Sequence, residues 1–360
     1  MSTQDKRIAL IGLGGIAHLS HLKSFSETSG AQLVAGCDLD KKKFPLAEEK
    51  VGLKNFYTDY HEMFRKEKLD GVVIGTPNAT HMPISVDALD AGVNVLCEKP
   101  VATSRLEAER IKEAVDRTGA KFMIGMPMRF RSENPTLRKM IVDGKLGNIY
   151  YAKTSYLRTR GIPGWGTWFT DKERAGGGAV LDIGVHMLDY VWFLLGKPAF
   201  KTVSALTFDG IGKRHLAGEE AAFGEVGYPS TYTGPEKNVF DVDEMTSAFI
   251  RLDGGAALQM EVSWAMNYNP EKHPNGGVIF GDRGGLSIMP PVFTHEVEDK
   301  LVHEPVEGPA GQGPQNLARA FVDYIDGKID NPAPIEDGIQ VMRTLDAIYE
   351  SARTGREIAL

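Results

Sequence analysis

The sequence predicts a two-domain α/β protein: a doubly wound parallel sheet, followed by an α+β domain built on an open-faced, mostly antiparallel sheet. The length of 360 residues exceeds what one ordinary hydrophobic core accommodates. The first third alternates short apolar runs with amphipathic stretches, whereas the remainder carries half-buried strands and glycine turns before two closing helices. We place the domains at residues 1–126 and 127–360, with the closing helices free to pack back on the first domain.

The strands of the first domain are predicted from apolar runs that do not alternate. Burial of both faces produces such runs and is typical of a parallel sheet covered by helices. Helices are predicted between the strands, among them Ser85–Ala91 and Arg105–Thr118. Right-handed crossovers then produce a doubly wound domain. The predicted strands are Ile8–Ile11, Leu33–Cys37, Val72–Gly75, Val93–Cys97 and Phe122–Gly125.

The second domain is predicted from alternating strands, turn-forming glycines and amphipathic helices. A Gly/Trp-rich loop, Gly161–Gly178, interrupts the pattern early, and Gly210–Asn238 has no periodicity and is expected to be a long loop. Asp253–Gly255 and Asp282–Gly285 are expected to be hairpin turns. The helices are expected at Pro135–Asp143, Val180–Leu195, Gln315–Asp326 and Glu336–Ala352, and the strands at Ile149–Thr159, Phe200–Phe208, Glu244–Leu252, Ala256–Ala265 and Gly277–Phe280.

Composition and charge argue against several classes of protein. The net charge is −7, and no basic block longer than Lys41–Lys43 suggests binding of nucleic acid or an anionic membrane. The chain shows no secretory signal and no apolar run long enough to span a bilayer, so a cytoplasmic location is expected. Cys37 and Cys97 end apolar strands and are expected to be buried free thiols. No Cys/His spacing indicates a metal site.

The segment Gly12–Ala17 follows the first predicted strand and opens a helical stretch, matching the dinucleotide fingerprint in its G-x-G-x-x-A form. Gly12 suits the tight turn, Gly14 lets backbone approach a pyrophosphate, and Ala17 permits close helix–strand packing. The helix N-terminus offers free N–H groups to phosphates. We therefore predict a Rossmann domain whose cofactor contacts include Gly12, Gly14, Gly15 and Ile16.

Asp38 ends the second predicted strand and bears on the choice of cofactor. A carboxylate there accepts hydrogen bonds from ribose hydroxyls and repels a 2′-phosphate, which favours NAD over NADP. The alternative is an aspartate that caps the next helix. Lys41–Lys43 could partly rescue NADP binding, so NADP stays a second option.

Two polar segments follow strands of the first sheet, where ligands of open α/β sheets bind. Thr76-Pro77-Asn78 follows one strand, with His81 shortly after, and Glu98-Lys99-Pro100 follows the next. A lysine held there can donate to a reacting oxygen and stabilise alkoxide charge. The alternative for Lys99 is a surface lysine paired with Glu98.

Asp182 and His186 lie four residues apart on a predicted helix, so they share a face. Oxidation of an alcohol needs a base for the hydroxyl proton, and histidine titrates near neutrality. Gly176–Gly178 allows close backbone approach at the start of this helix. The alternative is an ordinary Asp/His pair on a helix, and a metal site is disfavoured because no third ligand is indicated.

The Gly/Trp-rich loop and the strand before it carry aromatic rings among polar groups, a combination that suits sugars. Arg158, Trp165 and Trp168 are the candidate substrate contacts, with Arg160 and Phe169 beside them. The same side chains would equally suit a domain or subunit interface.

Taken together, Gly12–Ala17, Thr76–Asn78, Glu98–Pro100 and the Asp182/His186 pair resemble the Gfo/Idh/MocA oxidoreductase family over nearly the whole chain. The resemblance implies a catalytic lysine at Lys99, an acid/base at His186 and a catalytic, substrate-binding Asp182. It also implies dimers or tetramers and an action on pyranosides or anhydrosugars at the third carbon. The cofactor contacts that it implies are Thr76, Pro77, Asn78, His81, Glu98, Lys99 and Arg129.

The leading functional hypothesis is an NAD(H)-dependent oxidoreductase that moves a hydride between nicotinamide and a hydroxyl-bearing carbon of a sugar, sugar derivative or cyclic polyol. One alternative is an NAD-dependent glycosidase that oxidises its substrate transiently. A second is an inactive NAD-binding regulator, which the joint presence of Lys99, Asp182 and His186 disfavours. The expected partners are a small carbohydrate or polyol and further copies of the chain, as a homodimer or homotetramer.

Overall fold

The first strand of the chain lies inside a parallel sheet. The computed structural model describes residues 5–214, 239–308 and 313–360. Within them, the first sheet has six strands in the order β3-β2-β1-β4-β5-β6, all parallel. All five strands predicted here are confirmed, and β3 was missed because two residues carry no pattern. The strands are β1 Lys6–Ile11, β2 Ala31–Cys37, β3 Phe56–Tyr57, β4 Gly71–Ile74, β5 Asn94–Glu98 and β6 Phe122–Gly125.

Helices cover both faces of this sheet, as the buried strands require. The predicted limits of Arg105–Thr118 are confirmed because both ends are capped: the Ser104 side chain accepts from the Glu107 N–H, and Gly119 ends the helix at φ +69°. The helices are α1 Leu22–Glu27, α2 Phe44–Val51, α3 Tyr60–Lys66, α4 His81–Asp90 and α5 Arg105–Thr118.

The second sheet has nine strands within the described ranges, in the order β14-β13-β12-β11-β7-β10-β9-β8-β15. Only the β7–β10 pair among them is parallel, so the mostly antiparallel prediction is confirmed. The strands are β7 Ile149–Tyr156, β8 Phe200–Phe208, β9 Met245–Leu252, β10 Ala257–Ser263, β11 Gly276–Gly281, β12 Gly284–Ile288, β13 Pro291–Val297, β14 Lys300–Pro305 and β15 Ile358–Ala359.

Four strands of this sheet were not predicted from the sequence. The hairpin turn expected at Asp282–Gly285 is confirmed, but β12 already begins within it at Gly284. β13 and β14 form a mostly exposed hairpin, and β15 is two residues long, so none of them shows an apolar face in the sequence. Of the loop expected at Gly210–Asn238, residues 215–238 lie outside the described residues.

The second set of helices lies beside both sheets. Phe321 of the first closing helix contacts Phe25 of α1 edge-on, with the two ring centroids 6.2 Å apart. This helix therefore packs against a helix of the first domain. The other closing helix packs against α5, where Asp346 accepts from the Arg105 N–H at 3.0 Å. The helices are α6 Asn134–Val142, α7 Lys172–Ala175, α8 Val185–Leu194, α9 Gly313–Ile325 and α10 Ile335–Thr354.

One face of the second sheet is open, as predicted. Leu206, Phe208 and Phe249 expose their side chains there in the isolated chain. Among the helices that the structure describes, none is both long and apolar enough to cross a bilayer.

A buried guanidinium ties α8 and α10 to the end of the first sheet. Arg129 follows β6, and its side chain is 2% exposed. Its Nε and Nη2 donate to both carboxylate oxygens of Asp189 on α8, and its Nη1 donates to Asp337 Oδ2 on α10 at 2.6 Å. Because Asp189 follows Asp182 and His186 in the chain, this network holds the helix segment that carries the candidate chemistry.

Removing this guanidinium should destabilise the protein strongly. Arg129→Met would leave Asp189 buried without its cation and Asp337 with Lys197 alone, so we expect a loss of about 3–5 kcal/mol in the free energy of unfolding. The measurement is urea-induced unfolding followed by circular dichroism. Arg117→Met is the control, because Arg117 and Asp90 form an exposed pair worth at most about 1 kcal/mol. Equal effects of the two substitutions would contradict a structural role for Arg129.

Candidate active site

The glycine turn after β1 has the shape that a dinucleotide needs. Gly12 has φ +89°, and a Cβ there would lie 2.5 Å from the carbonyl oxygen of Gly75, so only glycine fits. At Gly14 and Gly15 a Cβ would meet no atom within 4 Å. Gly15 and Ile16 are exposed at the start of the helix. This open backbone, with the free N–H groups of a helix start, fits a pyrophosphate.

A π-helical turn, Ala17–His21, follows the glycine turn and carries one partner of a buried histidine–glutamate hydrogen bond. His21 Nε2 lies 2.8 Å from Glu98 Oε1, and both side chains are nearly inaccessible. Burial opposes ionisation of Glu98, but the hydrogen bond from His21 and the charges of His21 and Lys99 hold its pKa below the ordinary value. Glu98, which was predicted as a cofactor contact, therefore faces the fingerprint helix and is hydrogen-bonded to His21.

The Thr76–Asn78 segment is held by side chains that sequence reasoning assigned to the cofactor. His81 bridges two loops, with Nδ1 2.7 Å from the Pro100 carbonyl and Nε2 2.8 Å from the Thr76 carbonyl. Asn78 is buried and donates to the Ala175 carbonyl in the second domain at 2.8 Å. These contacts position the segment. Thr76 and Pro77 are partly exposed at the carboxyl end of β4.

Lys99 and Asp182 meet across the two domains. Lys99 Nζ donates to Asp182 Oδ1 and to the Asp182 carbonyl oxygen, each at 2.9 Å. The side chains are 17% and 21% exposed, so the pair is sheltered yet reachable from solvent. This contact brings together two of the candidate catalytic residues, one from the end of β5 and one from the second domain.

The second oxygen of Asp182 is held by a residue that sequence reasoning missed. Trp264, fully buried just after β10, donates its indole N–H to Asp182 Oδ2 at 2.9 Å. Burial opposes ionisation of Asp182, but the charge and hydrogen bond of Lys99, and the bond from Trp264, lower its pKa. A buried indole N–H needs a hydrogen-bond acceptor. The tryptophan at the end of a predicted strand therefore indicated that an acceptor exists, but the sequence did not show which residue provides it.

His186 stands on the first turn of α8, beyond a π-helical turn, Val180–Gly184, that contains Asp182. Its Nδ1 is buried and has no hydrogen-bond partner among the described residues. Burial lowers the pKa of the imidazole, and the Lys99 ammonium lowers it further against the opposing charges of Asp182 and Glu98. The imidazole is therefore neutral at physiological pH, in the form that can accept a proton.

The glycine run before this helix serves the protein's own packing. A Cβ at Gly177 would overlap the Tyr349 hydroxyl, and one at Gly178 would overlap the Asp243 backbone. Asp243 accepts from the N–H groups of Gly178 and Val180 at 2.8 and 3.0 Å, which satisfies the start of the helix. Close backbone approach was predicted here, and the partner is Asp243.

The candidate substrate residues differ in their relation to Asp182. Arg158 lies close enough for its charge to lower the pKa of Asp182, and its guanidinium donates to the Gly161 carbonyl. Trp165 donates to the Gly212 carbonyl at 2.9 Å, and Trp168 stacks on Phe169. Trp165 thus contacts the turn at Gly212, and Trp168 contacts its neighbour in the same loop.

Two further predicted cofactor contacts have partners within the protein. Asp38 directly follows β2 and accepts from the Leu13 N–H of the fingerprint at 2.8 Å, which ties it to the glycine turn. Arg129 is committed to the buried carboxylates described above, and these contacts favour a structural role. No cluster of three or more His, Cys, Asp or Glu suited to a metal occurs in the part of the chain that the structure describes.

Comparison with known families agrees with this architecture. Residues 6–126 match an oxidoreductase family with an NAD-binding Rossmann fold, and residues 138–360 match the C-terminal alpha/beta domain of the same family, named Gfo/Idh/MocA. The chain belongs to the Gfo/Idh/MocA oxidoreductase family. The family resemblance and the fold class predicted from the sequence are both confirmed.

This Gfo/Idh/MocA chain is similar to sugar dehydrogenases over all or half of its length. D-glucoside 3-dehydrogenase of Escherichia coli (strain K12) is 31% identical over 361 residues, spanning 100% of this chain and 99% of the relative. Glucose-6-phosphate 3-dehydrogenase of Bacillus subtilis (strain 168) is 31% identical over 52% of this chain and 53% of the relative. The fold is similar to that of aldose-aldose oxidoreductase from Caulobacter crescentus, with a TM-score of 0.81 and 21% identity over 99% of this chain and 100% of that one.

The influence of Lys99 on His186 should be visible without any turnover. In Lys99→Met the repulsive ammonium is absent while the charges of Asp182 and Glu98 remain, so the pKa of His186 should rise. The measurement is an NMR titration of the histidine ring carbons, with His186→Asn identifying the resonance. Lys139→Met, an exposed lysine on α6, is the control and should leave the midpoint unchanged. An unshifted midpoint in Lys99→Met would contradict the proximity of the two groups.

Proposed function

We propose that this chain is an NAD-dependent dehydrogenase that oxidises a CH–OH group of a sugar, sugar derivative or cyclic polyol, with a pyranoside and its third carbon as the specific target. The observation that carries the proposal is the contact of Lys99 with Asp182 across the two domains, beside a neutral His186. A cation, a carboxylate and a base are the groups that alcohol oxidation requires.

The cofactor is proposed to lie along the carboxyl end of the parallel sheet. The open turn at Gly12, Gly14 and Gly15 would hold the pyrophosphate, and Asp38 at the end of β2 would face the adenosine ribose. Thr76 and Pro77, partly exposed after β4, are proposed to contact the cofactor as well. When bound, the nicotinamide ring supplies the acceptor or donor of the hydride. A carboxylate at Asp38 favours NAD over NADP.

The lysine retains a donor for the substrate. Lys99 has three N–H donors, and two of them are used by Asp182 among the contacts of the described residues. The remaining donor can bind the reacting hydroxyl and stabilise the alkoxide charge that develops as the hydrogen leaves carbon. The imidazole of His186 takes the hydroxyl proton. Asp182, held by Lys99 and Trp264, keeps these groups in one place.

The substrate class is supported by the names of the relatives and by the groups around the pair. The Escherichia coli and Bacillus subtilis relatives are both 3-dehydrogenases of glucose derivatives. Arg158, whose charge helps to lower the pKa of Asp182, can donate a hydrogen bond to a further hydroxyl of a sugar. Trp165 and Trp168 belong to the loop that follows Arg158, and aromatic rings suit the apolar faces of pyranoses.

The direct test is turnover on a substrate panel. Purified protein with NAD should produce reduced nicotinamide, seen by absorbance, on a glucoside, and NMR of the product should show a ketone at the third carbon. The matched control is the same glucoside methylated on its third oxygen, which should give none. Failure of glucosides, free pyranoses, keto-sugars and inositols alike would contradict the proposal. Glycosidic cleavage with no net reduction of NAD would select the transient-oxidation glycosidase instead.

Removal of the base should lower the rate of the chemical step. His186→Asn keeps a polar side chain but cannot accept the proton at neutral pH, so kcat should fall by about 10²–10⁴. NADH affinity should be retained, since His186 lies on the second domain. His61→Asn, an exposed histidine on α3, is the control and should keep full activity. Unchanged kcat in His186→Asn would exclude this histidine as the base.

A further inference from the structure

The carboxylate of Asp38 is already saturated by donors of the protein. Oδ1 accepts from the Asp40 N–H at 2.9 Å and from Lys43 Nζ at 3.1 Å. Oδ2 accepts from the Leu13 N–H at 2.8 Å and from Lys43 Nζ at 3.0 Å. A carboxylate offers about four lone-pair sites, so these four hydrogen bonds occupy them.

Of these donors, Lys43 is the one that can move. The N–H groups of Leu13 and Asp40 are backbone donors fixed by the glycine turn and by the end of β2. Lys43 ends a short 3-10 turn, Lys41–Lys43, and reaches back to Asp38 through a flexible four-carbon side chain that is 17% exposed. A ribose hydroxyl therefore gains access to Asp38 when Lys43 leaves it.

We propose that Lys43 determines cofactor choice by neutralising Asp38 and pairing with a 2′-phosphate, so that the site accepts NADP as well as the preferred NAD. The inference rests on the proposed function only in that the site binds a nicotinamide dinucleotide. With NAD, Lys43 moves away and Asp38 accepts from the ribose hydroxyls. With NADP, the ammonium lies between the carboxylate and the phosphate and removes the repulsion of like charges.

The neighbouring charges support a role specific to Lys43. Lys41 and Lys42 belong to the same turn but are exposed, and Lys42 contributes its backbone N–H to the Asp40 side chain. Lys50 donates to the carbonyl of His18 behind the fingerprint helix. Lys43 is the lysine of this group that contacts Asp38 in the described structure.

The test is a comparison of nucleotide affinities in the absence of sugar. Dissociation constants for NADH and NADPH are measured by nucleotide fluorescence on the full-length protein. The wild type should bind both, with NADPH within about tenfold of NADH, a difference of about 1.4 kcal/mol. In Lys43→Met, NADPH should weaken by at least about tenfold while NADH keeps its affinity or gains. Lys43→Arg should restore NADPH, and Lys42→Met should leave the ratio within about twofold of wild type.

Three results would overturn the inference. The first is a wild type that binds NADH but no NADPH. The second is an equal loss of affinity for NADH and NADPH in Lys43→Met, together with wild-type affinities in Lys43→Arg. This result would show that Lys43 only positions Asp38. The third is an equal change of the ratio in Lys42→Met. Because no sugar is present, absent turnover on the substrate panel would count against the proposed function and leave this result standing. Thermal unfolding of each variant verifies that it is folded.

Discussion

The contact between the Lys99 ammonium and the Asp182 carboxylate is the constraint on which the site depends. Charges taken out of water cost several kcal/mol unless every lone pair and proton finds a partner. Here Lys99 and Trp264 hold the two carboxylate oxygens, and Lys99 also holds the Asp182 carbonyl. The contact joins the parallel sheet to the second domain, and the same ammonium adds to burial in lowering the pKa of His186.

The helices that meet at this contact are shaped for it by local irregularity. Each candidate functional helix begins with a π-helical turn, a feature that often marks functional sites because it redirects one turn of side chains and carbonyls. In the first, the turn brings His21 to Glu98, the residue that precedes Lys99 in the chain. In the second, Asp182 lies within the turn, and Asp243 satisfies the N–H groups at its start. In each case a buried, hydrogen-bonded carboxylate, Glu98 for the first helix and Asp243 for the second, holds the helix in position.

Sequence patterns predicted the parts of this protein whose information is local. The parallel strands, the glycine turn and the shared face of Asp182 and His186 depend on neighbours within a few residues, and the structure contains all of them. Trp264 and Asp243 were missed because their partners lie far away in sequence. The family resemblance assigned Asn78, Glu98 and Arg129 to the cofactor, and the structure adds a hydrogen-bond partner within the protein for each of them. A sequence shows that a polar group must be satisfied, but only the fold shows by what.

Donor and acceptor capacity distinguishes the two ends of the proposed cofactor site. At the adenosine end, the acceptor sites of Asp38 are filled by Leu13, Asp40 and Lys43, so a ligand must displace a protein group before it binds that carboxylate. At the reacting end, Lys99 keeps one donor beyond those given to Asp182 among the described contacts. A substrate oxygen can therefore bind without breaking the contact that joins the domains. Reorganisation is confined to the end where no bond is made or broken, which is where a preorganised catalytic site can tolerate it.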